Sequence, residues 1–259
     1  MKKKQVGLLG STGRMGQLVI RELANHEHFC VSPHRGREGE REREWFGNEE
    51  KLRELLAESD YLIDFSSAEM LDSLLSSALQ VPKPLILCTT GWQIEKYEKK
   101  LNALSQRVPL LIAPNTSLGA CLQLFLSRQL AKTLDENYLI DVAEKHHRYK
   151  RDYPSGTTLQ LARALIEEKE QRGEQGYSWQ LSPTWPRSSH SIPITVERRG
   201  KIPGKHSVSF TSQEESLCLI HSAFHPSLFT RGALRAVEWL HQHHPDPALY
   251  TMLDVYSII

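Results

Sequence analysis

Along the first half of the chain, apolar positions come in short runs that each end in glycine or small polar residues. "KQVGLLG", "FCVSP" (Phe29 to Pro33), "YLIDFSSAEM", "PLILCTTGW" and "PLLIAPNTSLG" read as buried parallel strands, apolar on both faces. The first is followed by "GRMGQLVIRELANH", which places Met15, Leu18, Val19 and Leu23 at helical spacing. Strand and helix in alternation predict an open parallel sheet.

The second half has a different rhythm. "ACLQLFLSRQLAKTL" (Ala120 to Leu134) is helical, "YLIDVAEKHH" is a strand, and a further helix runs from about Thr157 to Glu170. "KEQRGEQGYSWQLSPTWPRSSH" is polar and rich in proline and tryptophan, and reads as loop. "SIPITVERRG" and "HSVSFTSQEESLCLIHSAF" alternate and are rich in β-branched residues, the pattern of antiparallel strands in a second sheet. "LFTRGALRAVEWLHQH" is an amphipathic helix before a tail, "ALYTMLDVYSII". The fold class expected is α/β: an N-terminal Rossmann-like, doubly wound parallel sheet (1–117 and 228–259) with an inserted α+β domain (118–227). The last helix should return to pack on the first domain.

Between the first strand and helix lies Gly10-Ser11-Thr12-Gly13-Arg14-Met15-Gly16, a G-x-x-G-x-x-G spacing. Glycines there permit a tight turn and let backbone N–H groups approach a pyrophosphate at a helix N-terminus. Glycine clusters of this kind also serve as plain strand-to-helix turns. The context of strand, loop and helix makes Gly10 to Met15 candidate dinucleotide contacts. After the second strand, where an NAD-preferring site places an acid for the ribose hydroxyls, the chain continues "HRGREGEREREWFG", in which Glu38 could play that part. Arg35 and Arg37 could meet a 2′-phosphate, which tilts the cofactor, NADPH or NADH, towards NADPH. From Arg41 onward the charges read as a solvated loop. Three later strands finish in Phe65-Ser66, Thr89-Thr90-Gly91 and Pro114-Asn115-Thr116, where a ligand of a parallel sheet binds. Each alone would be ordinary turn chemistry.

Composition removes several classes of function. A net charge of +1 and a sequence pI near 7.8 offer no field for nucleic acid or an anionic membrane. No apolar run nears a bilayer span, and the basic start breaks at glycine too early for a secretion signal. Cys30, Cys88, Cys121 and Cys218 are scattered without a CxxC pair, as in a reduced cytoplasmic protein.

One stretch gathers unusual chemistry: "AEKHHRYKRDYPSGTT", Ala143 to Thr158. Adjacent strand histidines point to opposite faces, and no carboxylate or cysteine stands at ligand spacing, so no metal is expected. A surface loop with casual charge is the plain alternative. Yet Lys150, Arg151, Ser155, Gly156 and Thr157 all precede a helix start, where a hydroxyl and backbone N–H groups form an anion site. With lysine and histidine added, the site suits a small dicarboxylate, with one histidine near enough to donate a proton.

"EKHHRYKRDYPSGTT" closely resembles the E-x-H-H-x-x-K-x-D-x-P-S-G-T signature of the dihydrodipicolinate reductase family. "GSTGRMG", "DFS", "TTG" and "PNTSLG" resemble that family's other motifs in order and spacing, over essentially the whole chain. The resemblance implies NAD(P)H-dependent reduction of a cyclic dihydropyridine dicarboxylate, or its hydrated form, to tetrahydrodipicolinate in lysine and diaminopimelate biosynthesis. His146 would be the proton donor and Lys150 would bind and polarise the substrate. His147, Ser155, Gly156 and Thr157 would hold a carboxylate. The resemblance also implies a cytoplasmic homotetramer assembled through the second domain.

The chain departs from the family pattern at three places. Cys88 replaces a glycine before T-T-G, Thr116 replaces an aromatic or Met, and Pro226 stands where an arginine is usual. These departures leave two rivals: a catalytically weak or inactive dinucleotide-binding regulator, and another two-domain dehydrogenase, which for a semialdehyde enzyme needs a reactive cysteine such as Cys88.

Overall fold

The computed structural model describes residues 2–32, 47–181 and 190–258. Cα packing divides the chain into two compact units, Met1–Ser117 with Ser227–Ile259, and Leu118–Pro226.

Unit 1 is an α/β wind of β1 (Lys4–Leu9), α1 (Arg14–Ala24), β2 (Phe29–Val31), α2 (Glu49–Ala57) and β3 (Tyr61–Asp64). A 3-10 turn then leads to α3 (Leu71–Gln80), β4 (Leu85–Leu87), α4 (Ile94–Ser105) and β5 (Leu110–Ile112). The strands are short and apolar because helices cover both faces; β3 and β4 are buried along their whole length. The strand order is β11 (Leu249–Thr251), β5, β4, β3, β1, β2, and every pairing is parallel. From β1 the chain steps outward to β2 and then crosses back to β3, so the winding reverses beside β1, where such sheets open a crevice for ligands. One core joins Leu52, Leu55, Leu71, Leu74, Leu85, Leu101 and Leu110. The Asn48 side chain caps α2 by accepting from Lys51 N–H, and Glu49 and Glu50 in the first turn suit the helix dipole.

The end of the chain completes this unit. α7 (Ser227–His243) packs on α1, and the tail is a sixth strand, β11 (Leu249–Thr251), with a capping box at Thr251 opening α8 (Met252–Val255). The sequence pattern had shown only a tail there, because a three-residue edge strand has no period of its own.

Unit 2 comprises α5 (Leu118–Thr133), β6 (Leu139–His146), α6 (Gly156–Gln171), β7 (Ser178–Leu181), β8 (Ser191–Arg198), β9 (Gly204–Thr211) and β10 (Ser216–Ala223). Its sheet has the order β10-β9-β6-β8-β7. β9 is antiparallel to both β6 and β10, but β8 is parallel to β6 and β7, so the expectation of purely antiparallel strands is corrected. The crossover through α6 returns the chain in the direction of β6, and parallel neighbours cannot be joined by a hairpin. The span expected to be loop also contributes an exposed edge strand, β7. Among the described residues, no helix is long and apolar enough to cross a membrane. All four cysteines are free.

Candidate active site

In unit 1, parallel strands bring the segments after β1, β3, β4 and β5 to one edge of the sheet. Gly10 has φ +85°, and a Cβ there would stand 2.4 Å from the Phe65 carbonyl oxygen. The Gly13 N–H closes the turn onto the Gly10 carbonyl at 3.0 Å, and Gly13 is the N-cap of α1 with no side-chain cap. A backbone loop this bare at a helix start fits a dinucleotide pyrophosphate. Ser11 is buried, while Thr12 and Arg14 are exposed and Met15 is half-buried.

The neighbouring segments differ in what they leave available. Buried Asp64 folds the turn after β3 by accepting from Ser66 N–H (2.9 Å) and Ser66 Oγ (2.5 Å). Burial raises the proton affinity of Asp64, and the Ser66 and Thr89 hydrogen bonds offset this only in part. Thr89 is buried, Thr90 and Gly91 are exposed, and Asn115 accepts from Ser117 N–H at 3.1 Å. Thr116 turns inward: it is 2% exposed, its hydroxyl donates to the Phe229 carbonyl (2.6 Å), and its own carbonyl accepts from Tyr256 (2.8 Å). Burial, then Asp64, pushes the Cys88 thiol well above its usual range. Such a thiol is no nucleophile, which removes the one cysteine a semialdehyde enzyme could use. Arg231 lies on α7 beside Glu22 at 3.4 Å, part of the unit's surface. Arg35 and Arg37 lie outside the described residues.

In unit 2 the site grows out of one sheet face. Ile140, Val142, Glu144 and His146 share the buried side of β6, and Val208 and His206 that of β9. One end of this face is apolar, with Ile140, Val142, Ile194, Val208 and Phe210 packed against Leu161 and Leu165 of α6. The other end is polar, and strand register assembles it: Arg198 pairs with His146, and His206 with Glu144.

Glu144 is the hub. Its carboxylate accepts from Ser155 N–H (3.0 Å and 3.2 Å), from the Thr158 hydroxyl and from Arg198 Nη2 (2.6 Å). Burial works to raise its pKa, but the hydrogen bonds from Ser155, Thr158 and Arg198 outweigh it and hold the carboxyl at about 2. His146 Nδ1 lies 3.8 Å and His206 Nε2 4.0 Å from the same carboxylate, and the two rings meet edge-on at 4.9 Å. Burial lowers His146 to about 4, with Glu144 opposing and Lys150 and Arg198 assisting. Burial and the His146 neighbour lower His206 to about 3.

The expected substrate residues are drawn together around this hub, but not all in the expected manner. Ser155 is the N-cap of α6, yet it is only 2% exposed; its hydroxyl meets Thr158 (3.0 Å) and His206 (3.2 Å). Gly156 opens the helix, a position whose N–H has no acceptor in a preceding turn. Lys150 Nζ pairs with Asp152 at 2.7 Å, and half-buried His147 donates its backbone N–H to the Ile202 carbonyl. Glu144, Arg198, His206 and Thr158 were not foreseen. Glu144 could have been found, because two residues before His146 on a strand means the same face. It also corrects the premise that no carboxylate accompanies the histidines: Glu144, His146 and His206 place one potential ligand atom each within 4.8 Å. The Arg198 cation bound to that carboxylate suits an ion pair better than a metal.

Comparisons with known proteins agree with this layout. Residues 4–116 match the family model "Dihydrodipicolinate reductase, N-terminus", and residues 119–256 match "Dihydrodipicolinate reductase, C-terminus". The chain is 36% identical over 247 residues to a 4-hydroxy-tetrahydrodipicolinate reductase of Chlamydia felis, covering 95% of this chain and 96% of that one. It is 36% identical over 255 residues to the enzyme of that name from Zymomonas mobilis, covering 98% and 97%. Its fold is similar to a dipicolinate-bound dihydrodipicolinate reductase from Paenisporosarcina sp. TG-14, with TM-score 0.70, 18% identity and full coverage of both chains. The chain therefore belongs to the dihydrodipicolinate reductase family.

Proposed function

We propose that the chain reduces dihydrodipicolinate, formed from hydrated 4-hydroxy-tetrahydrodipicolinate, to tetrahydrodipicolinate with NAD(P)H, a step of lysine and diaminopimelate biosynthesis. The observation that carries this reading is buried His146, beside ionised Glu144, with Lys150 on the next turn and Ser155 opening α6, in a chain of this family. Unit 1 (1–117 and 228–259 in the sequence division) would serve the dinucleotide and unit 2 (118–227) the substrate and assembly.

The glycine turn from Gly10 to Met15 would hold the pyrophosphate through backbone N–H groups. Phe65, Ser66, Thr89, Thr90, Gly91, Pro114 and Asn115 would line the rest, with Thr116 supporting the turn from beneath. The bound nicotinamide supplies a hydride. His146 supplies the proton that completes the two-electron reduction, Lys150 attracts and polarises the dianion, and His147 with the Ser155-Gly156-Thr157 backbone orients a carboxylate. At about 4, His146 is neutral near pH 7 without substrate. Two substrate carboxylates would raise its proton affinity, so the proton is taken up when the dianion arrives. NADPH is the preferred cofactor, through Arg35 and Arg37.

The chain acts in the cytoplasm as a homotetramer. Leu118, Leu122 and Leu126 on α5 and Leu217 and Ile220 on β10 are exposed apolar groups of unit 2 and support assembly there.

The test is a coupled assay that generates dihydrodipicolinate in situ and follows NADPH and NADH oxidation separately. Substrate-dependent oxidation that falls by about 100-fold or more in His146→Gln supports the reading. Binding of both cofactors without turnover by the wild type would overturn it in favour of a binding-only protein.

A further inference from the structure

We propose that buried Glu144 and half-buried Arg198 form a charge clamp that positions His146 and the segment from Asp152 to Thr158 for the reaction, without either touching the substrate. The inference deepens the reductase reading and rests on it for the meaning of the His146 proton.

The clamp is built across two strands. Glu144 on β6 accepts from Ser155 N–H and the Thr158 hydroxyl, so it holds the start of α6. Arg198 on β8 donates from one nitrogen to Glu144 (2.6 Å) and to the Asp152 carbonyl (2.7 Å). The guanidinium lies 5.3 Å from the Tyr153 ring centroid. The pair thus grips the segment at Asp152 and at Ser155, on either side of Tyr153-Pro154. A guanidinium suits this grip, because the two N–H groups of this one nitrogen lie in a fixed plane and serve a carboxylate and a carbonyl together.

The same pair sets the field at His146. Facing this ring are Glu144 on its own strand, Arg198 on β8, His206 on β9, and Lys150 and Asp152 on the following turn. His221 on β10 acts on His206. Glu144 draws a proton towards His146 and Arg198 repels it. The two halves of the clamp therefore have opposite electrostatic effects on one group but the same mechanical effect on the segment.

The experiment follows the His146 ring titration by NMR, assigned with His146→Gln, in the full chain and in Glu144→Gln, Arg198→Met and Arg198→Lys. Amide exchange of Asp152 to Thr158 is measured alongside, and NADPH binding monitors unit 1. Glu144→Gln should lower the His146 midpoint by about one pH unit, and Arg198→Met should raise it by a similar amount. Both should speed exchange at Ser155 about tenfold or more and leave NADPH affinity within twofold. Arg198→Lys keeps the charge on a shorter side chain without the planar NH2 group, so it should speed exchange with the midpoint little moved. Midpoints that stay fixed, or that move the same way in both neutral variants, overturn the proposal. Unchanged exchange at Ser155 also overturns it. If Glu144→Gln does not fold, the two Arg198 variants decide. These signals are read without turnover, so an inactive wild type would count against the reductase reading alone. In an active enzyme, the alkaline limb of kcat should follow the midpoint in each variant.

Discussion

Gly16 on α1 faces Gly10 so closely that a Cβ on Gly16 would stand 2.1 Å from the Gly10 carbonyl oxygen. The obstacle is backbone, which cannot rotate aside as a side chain could. Gly16→Ala should therefore lift α1 from the turn, cost about 1–3 kcal/mol of stability and weaken NADPH binding at least tenfold. A fluorescence titration and a thermal melt would check both. An unchanged cofactor affinity would refute the role of the turn.

Thr116 offers a contrast on the same edge. Its hydroxyl holds the start of α7, and a Cβ on Gly232 would stand 1.8 Å from its carbonyl oxygen. Thr116→Val should lower stability by about 1 kcal/mol and leave cofactor affinity within twofold. A large rise in the Kd for NADPH would instead make Thr116 a direct contact.

Lys169 is an unusual buried cation. Its side chain is 1% exposed, and it bonds the Leu134 and Asp135 carbonyls and Glu174. It ties the end of α5 to the end of α6. Lys169→Met removes a donor that these three groups share, leaving Arg172 on the Leu134 carbonyl, Tyr138 N–H on the Asp135 carbonyl, and Tyr177 and Arg172 on Glu174, at a cost of about 1–2 kcal/mol. Urea unfolding would measure this, with a midpoint equal to wild type as the contrary result.

Acid should attack unit 2 through its polar hub. His146 and His206 fold with pKa values near 4 and 3, below the ordinary 6.5. Their stabilisation is present above pH 6.5 and is lost as the pH falls through that window. Glu144, held at about 2 against an ordinary 4.5, adds a loss below pH 4.5. All three have the same sign, so the melting temperature should fall steadily from pH 7 to pH 4. His206→Gln should flatten the upper part of that slope, and an unaltered slope would exclude His206 as a source.

Binding should reverse the depression at His146. Pyridine-2,6-dicarboxylate presents two negative charges of the substrate class, so its addition should raise the His146 midpoint from about 4 towards neutrality, by about two to three units. Histidine NMR with and without the dianion would read this directly. A midpoint that does not rise would leave His146 without its proton at neutral pH.

Much of this was legible in the sequence, for reasons that can be named. β1 to β5 declare themselves because strands covered on both faces are continuously apolar, and the G-x-x-G-x-x-G turn marks where backbone must pass backbone. The signature stretch placed His146 and Lys150. Arg198 and His206 could not be read in the same way: they reach Glu144 through register across β8 and β9, more than 50 positions away, and register leaves no mark on a single chain. The direction of β8 was hidden too, since β-branched alternation looks alike in parallel and antiparallel strands. Ser155 was expected to offer its hydroxyl outward, but a capping serine beside a buried acid is drawn inward.

The pairing of β11 with β5 has a consequence for the order in which the molecule is made. Unit 2 is one uninterrupted segment, complete when residue 226 leaves the ribosome. Unit 1 needs α7 and β11, which follow it. During synthesis unit 2 can fold on its own schedule, while the earlier strands wait with β5 as an uncovered edge. The nascent chain would thus complete the pocket around Glu144 and His146 before it could finish the parallel sheet of unit 1.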